Sequence, residues 1–163
     1  MKIAHAPAGY IVSKLLYSRF IKSKVSYNLF IFWGIVGATA PDFDLLYYYT
    51  FGHPKHTHHE YFTHFPIFWL SLLLISVVWL KLANNNSQNA PLAFIFTING
   101  FIHMILDSIN GEFLLLFWLA PFSFYTLYID PYLPWNDGTL ELFTILWALY
   151  LWKKNEINQL LSK

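Results

Sequence analysis

The sequence predicts an all-α fold, an integral membrane helical bundle of about four to five spanning helices plus short interfacial helices, and three observations carry that prediction. Hydrophobic residues make up 56% of the chain and charged residues 12%, against about 25% charged in an average soluble chain. The apolar residues gather into runs that approach the ~20 residues needed to cross a bilayer core, and those runs lack the polar face of a surface helix. Aromatic residues reach 21% and sit near the ends of the runs, where Trp and Tyr favour the membrane interface. A soluble all-α domain with buried helices is the alternative, and the missing polar faces weigh against it. The 163 residues show no internal repeat and no linker, so residues 1–163 read as one membrane-embedded domain.

The elements follow in order. Residues 3 to 17 are apolar, with small residues on one side, and predict a helix beginning near Pro7. Lys14, Arg19, Lys22 and Lys24 follow closely, and Ser26 or Asn28 can cap a second helix that runs toward Ala40. Pro41 restarts the chain, and residues 42 to 50 read as a short helix or turn before Gly52 and Pro54. The longest helical pattern runs from His58 to about Lys81, with Phe62 to Leu82 as its spanning part. The polar loop 84–89 separates it from an apolar segment that opens at Pro91 and carries Asn99, His103 and Asp107. An irregular aromatic stretch with Pro131 and Pro134 leads to a last helix from about Thr139 to Leu161.

Composition also excludes classes of function. The ten Lys and Arg form no basic stripe, so there is no nucleic-acid footprint. The chain has no Cys, hence no disulfide framework and no thiolate nucleophile, and a metal site must be built from His, Asp and Glu. The N-terminal residues lack the pattern of a cleaved secretion signal. No glycine-rich phosphate loop or serine nucleophile motif occurs.

If the helices near 3 to 20, 27 to 40, 62 to 82, 91 to 107 and 139 to 152 each cross once, eight basic residues fall on one side: Lys14, Arg19, Lys22, Lys24, Lys81, Lys153, Lys154 and Lys163. The positive-inside rule makes that side cytoplasmic. All seven histidines fall on the other side, together with Asp42, Asp44 and Asp107. The expected location is therefore within a membrane, with the site on its non-cytoplasmic side.

Five of the seven histidines lie between Pro41 and His64. His103 and Asp107 are four residues apart, so on a helix they share one face and can grip one ion; an intramembrane His or Asp is costly without such a role. A helix-stabilising His-Asp pair is the plainer alternative. His59 and His64, with Glu60 beside the first, are five apart, which splays them by about 140° on a helix of ~3.6 residues per turn. That spacing disfavours the H-E-x-x-H zinc-protease arrangement and suits two ions, or one ion if the helix starts between them. Asp42 and Asp44 point the same way in extended or turn geometry and suit a shared cation; the plainer alternative is favourable charge at a helix N-terminus. His53, His56 and His58 read as exposed loop imidazoles. Candidate ligands that number seven suit two ions with open positions better than one closed structural site, as in hydrolases that activate water for phosphoryl displacement.

In order along the chain come His5, Pro41-Asp42-Phe43-Asp44, His59 with Thr63-His64, Gly100 with His103 and Asp107, and an aromatic run from Trp118 to Phe122. This succession, over about residues 1 to 122, resembles the YdjM-like family of inner-membrane-associated proteins assigned as metal-dependent hydrolases. The resemblance implies a membrane-embedded helical protein, and its His-x-x-x-Asp helix is similar to that of zinc-dependent phospholipase C. The family commonly carries Arg and Ser where this chain has Glu60 and Phe65; an Arg there could hold a phosphate oxygen, whereas Glu60 repels one unless protonated or metal-bound.

The function expected from these residues is a membrane-bound metal-dependent hydrolase, with metal-activated water attacking an ester or phosphoester of a small-molecule or lipid substrate. His5, Asp42, Asp44, His59, His64, His103 and Asp107 are the candidate ligands for one or two divalent ions, zinc foremost and manganese second, and Glu60 is the candidate base. Membrane lipid is the expected partner. The alternative is a membrane scaffold or metal-transport protein that keeps the same His and Asp residues.

Overall fold

The computed structural model describes residues 3–20, 25–51, 61–84, 87–109 and 137–161. These residues fold into six α-helices and two single 3-10 turns, without a strand among them. Helix α1 spans His5–Phe20, α2 Tyr27–Thr39, α3 Asp44–Phe51, α4 Pro66–Leu82, α5 Asn89–Ile109 and α6 Asp137–Leu161. The 3-10 turns are Pro41–Phe43 and Phe62–His64.

Local chemistry sets the boundaries. Ser26 caps α2, its hydroxyl accepting from the Leu29 amide at 3.3 Å, a bond that typically contributes ~1 kcal/mol. Pro41 cannot donate to the preceding turn, and the chain tightens there into the 3-10 turn that leads into α3. The expected helix 62–82 starts later, at Pro66. Phe65 is extended, with φ −88° and ψ 118°, because the residue before a proline is sterically pushed out of the helical region. His64 therefore sits on its own turn ahead of α4.

Helix α5 is the centre of the bundle, packed against α1, α2 and α4, while α6 lies against α1. Its contacts give the directions. Gly37 and Ala38 of α2 meet Phe96 and His103 of α5, so these two helices run the same way. His5 lies by His103 and Ser13 by Asn99, so α1 opposes α5. Trp69 lies over Gly100 and Ser76 bonds Thr97 at 2.8 Å, so α4 opposes α5 as well. Ile3 bonds Glu141 at 3.2 Å and the Lys14 ammonium reaches the Leu151 carbonyl, which sets α6 alongside α1.

One end of the bundle thus collects the start of α1, the end of α2, the start of α4 and the end of α5. Arg19, Lys81, Lys153 and Lys154 all lie towards the opposite ends of their helices. An apolar cluster of Val25, Phe30 and Ile95, flanked by Leu16, Phe20 and Leu92, fills that basic end.

The helices approach closely through small residues, as membrane helices do when packing rather than water exclusion holds them together. A Cβ on Gly37 would lie 2.2 Å from the Phe96 carbonyl oxygen, and one on Gly100 would lie 2.1 Å from the Trp69 ring. Large apolar side chains instead face outward, among them Leu74, Ile75, Val78 and Trp79 of α4 and Leu146, Trp147 and Tyr150 of α6.

Among the described residues, one helix is long and apolar enough to cross a membrane by itself, α5 over Asn89–Asp107. Helix α2 and Pro41–Phe51 pass that test together across a 58° bend, and α4, at 17 residues, is apolar but shorter.

Candidate metal centre

The acidic and imidazole groups of four separate segments converge at the end of the bundle opposite the basic residues. His5 arrives on the first turn of α1, Asp42 on the 3-10 turn after α2, His64 on the 3-10 turn before α4, and His103 and Asp107 on the last turns of α5. His5, His64, His103, Asp44 and Asp107 are buried, and Asp42 is partly exposed at the mouth.

Two of the three imidazoles are held from behind. His103 donates from Nδ1 to the Ala38 carbonyl at 2.7 Å, which leaves Nε2 as its inward atom. The Nδ1 of His64 lies 2.7 Å from Asp44 Oδ2, so its Nε2 also turns inward. His5 stacks on His103, with ring centroids 3.7 Å apart and planes 16° from parallel, and its Nε2 lies 3.2 Å from Asp107 Oδ1.

Around the centre, His103 Nε2 is 3.0 Å from Asp107 Oδ2 and 3.7 Å from Asp42 Oδ1, while His64 Nε2 is 3.9 Å and 3.6 Å from the same two oxygens. Each inward Nε2 therefore stands about one tetrahedral edge from each of the two carboxylate oxygens. Zinc bonds of ~2.1 Å to nitrogen and oxygen put neighbouring ligands of a tetrahedron about 3.4 Å from each other. His5, Asp42 and His103 form one candidate metal-binding triad, and His64, His103 and Asp107 form another.

The fit to a divalent cation is also chemical. Nδ1 of His5 is buried without a hydrogen-bond partner, an expensive condition for an imidazole nitrogen unless something else takes its lone pair. Burial alone would drive His64 toward its neutral form; the carboxylates of Asp42 and Asp44 outweigh that and hold its pKa up to about 9.

The residues read from the sequence therefore divide. His5, Asp42, Asp44, His64, His103 and Asp107 are brought together. His59 and the candidate base Glu60 lie outside the described residues, as do His53, His56, His58 and the aromatic run 118–122. Asp42 and Asp44, expected to point the same way in extended or turn geometry, instead address opposite nitrogens of the His64 ring from the 3-10 turn and the start of α3. The Ala38 carbonyl, Thr63 and Trp69 were assigned no role from the sequence. Thr63 donates to Asp44 Oδ2 at 2.5 Å, and Trp69 Nε1 donates to the Thr63 carbonyl at 2.7 Å; the only sequence signal was the place of Thr63 directly before His64.

Beside the centre, Phe62, Phe65, Ile67, Phe68 and Ser71 line an apolar cleft of about 410 Å³. Phe62 and Phe65, which line it, bracket Thr63 and His64 in the chain.

No curated protein and no solved structure matches the chain. A family model described as YdjM inner membrane protein matches residues 1–162. The match takes in α1 to α6 and every residue of the converging His and Asp cluster. The chain belongs to the YdjM inner membrane protein family, and the all-α bundle is that of a membrane protein.

Proposed function

We propose that the chain is a membrane-embedded metal-dependent hydrolase whose single divalent ion, zinc foremost, is held by His64, His103, Asp42 and Asp107, with His5 at its edge. The observation that carries this reading is the spacing of 3.0 to 3.9 Å from each of the two inward Nε2 atoms to each of the two carboxylate oxygens. One ion is favoured over two because both triads depend on His103, which has one nitrogen left after its bond to Ala38. A bound ion of this kind lowers the pKa of water and polarises an ester or phosphoryl oxygen. The chain's own part is to present two fixed imidazoles, to keep Asp107 in place through His5, and to leave the Asp42 side open to solvent and substrate.

A lipid-borne ester or phosphoester is the favoured substrate class. The apolar cleft at Phe62, Phe65 and Phe68 supports it, since an acyl chain lying there would set its head group beside His64. We also propose that α1, α2, α4, α5 and α6 make up a bundle of four to five spans. The gathering of Arg19, Lys81, Lys153 and Lys154 at one end supports a cytoplasmic face there, with the metal centre on the non-cytoplasmic face.

The test is hydrolysis of phospholipid vesicles by purified full-length protein, before and after chelation and zinc return. Zinc-dependent release of product that His103→Ala abolishes is expected. Zinc retention without turnover on any lipid ester would move the reading to a scaffold, and zinc uptake into sealed vesicles would move it to a transporter.

A further inference from the structure

We infer that Asp44 and Thr63 form a positioning pair for His64 and do not themselves ligate the ion, an inference that rests on the proposed metal centre. Asp44 opens α3 and is buried, yet it belongs to neither triad of converging ligand atoms. Its Oδ2 is already engaged twice, by the Thr63 hydroxyl at 2.5 Å and by His64 Nδ1 at 2.7 Å. Both of those atoms are donors toward a carboxylate, so the proton of a neutral His64 resides on Nδ1 and the lone pair on Nε2, which faces Asp42 and Asp107.

The pair is anchored to the centre of the bundle. The Thr63 carbonyl accepts from Trp69 Nε1 at 2.7 Å, and the Trp69 ring lies so close over Gly100 of α5 that no Cβ fits between them. The backbone that carries His103 thereby also fixes the turn that carries His64. The two imidazoles are steadied by different means: His103 by a neutral carbonyl and His64 by a charged carboxylate.

The test is zinc affinity and the visible spectrum of the cobalt-loaded full-length protein in lipid nanodiscs, for Asp44→Asn, Asp44→Ala and Thr63→Val. Positioning carboxylates behind metal-binding histidines typically contribute 10- to 100-fold in affinity. Asp44→Asn keeps an acceptor for Nδ1 and is expected to weaken zinc about 10-fold, with the cobalt spectrum unchanged in shape. Asp44→Ala removes acceptor and charge together and is expected to approach 100-fold, and Thr63→Val, which has no oxygen to offer, is expected to weaken zinc several-fold. Equal losses for Asp44→Asn and Asp44→Ala, with a changed cobalt spectrum in both, would show that Asp44 ligates through its buried Oδ1 and would overturn the inference. So would wild-type affinity in all three variants. If wild-type protein binds neither metal, the proposed metal centre itself fails, and that outcome is distinct from either of these.

Discussion

Gly37 links helix packing to the site, and Gly37→Ala isolates that link. The added Cβ would stand 2.2 Å from the Phe96 carbonyl oxygen and 2.8 Å from Phe96 Cα, where ordinary contact begins at 3.4 Å. Every blocking atom is backbone, so no side chain can swing aside, and α2 and α5 must part by about 1 Å. The neighbouring residue, Ala38, supplies the carbonyl that holds His103 Nδ1 at 2.7 Å. A shift of that size takes the pair beyond ~3.5 Å, outside hydrogen-bond range. Overpacking costs roughly 1–3 kcal/mol, and loss of the carbonyl behind a metal-binding histidine weakens the metal by about 10- to 100-fold. Circular dichroism and zinc titration of the variant in nanodiscs read both effects. Retained helix content with a lowered melting point and weakened zinc is expected. Unchanged zinc affinity would refute the coupling of the α2–α5 contact to His103.

Three further outcomes follow from the same structure. Because His64 is held protonated up to about 9, zinc must displace a proton, so its affinity should climb as pH rises from ~6.5 to 9; a flat titration would contradict this. The sign for stability is opposite. A folded pKa raised above the unfolded value stabilises the metal-free protein below ~6.5 and loses that contribution as pH passes about 9, so the metal-free melting point should fall across that window and the zinc-loaded one much less. Single cysteines introduced into this Cys-free chain should report the two faces: Phe43→Cys, exposed at the metal end, should react with an impermeant thiol reagent outside inner-membrane vesicles of native orientation, and Lys81→Cys only after permeabilisation. The reverse labelling would invert the topology.

Much of the site was legible because it depends on local spacing. His103 and Asp107 lie four apart on an uninterrupted apolar helix, and helical geometry alone put them on one face, 3.0 Å apart. Ser26 as a cap and Pro41 as a break likewise act through neighbouring residues. The position of His64 was less legible. Periodicity carried the helix through Phe62, and only the steric effect of Pro66 on Phe65 frees His64 onto a separate turn. That break lets His64 face His103, so the five-residue spacing to His59 is no obstacle on the described side of the site. The difference between Asp42 and Asp44 was hidden for another reason: which carboxylate meets which nitrogen depends on the approach of the Phe62–His64 turn, a tertiary contact. Gly100 gained its meaning only from Trp69, 31 positions earlier in the chain, packing across it. Apolar content fixed the helices better than their lengths: α4, expected over 62–82, is 17 residues long because Pro66 starts it late, while α2 ends within a residue of its expected end.

His and Asp side chains from four segments, Asp42 partly exposed and the others buried, stand where one ion would bind. X-ray absorption at the zinc edge of the purified full-length protein, paired with elemental analysis, tests that placement most directly. One zinc per chain in a shell of nitrogen and oxygen with two imidazoles, which loses an imidazole in His64→Ala, is the result the geometry requires. A chain that retains no zinc, or a zinc shell unchanged by His64→Ala and by His103→Ala, would contradict it.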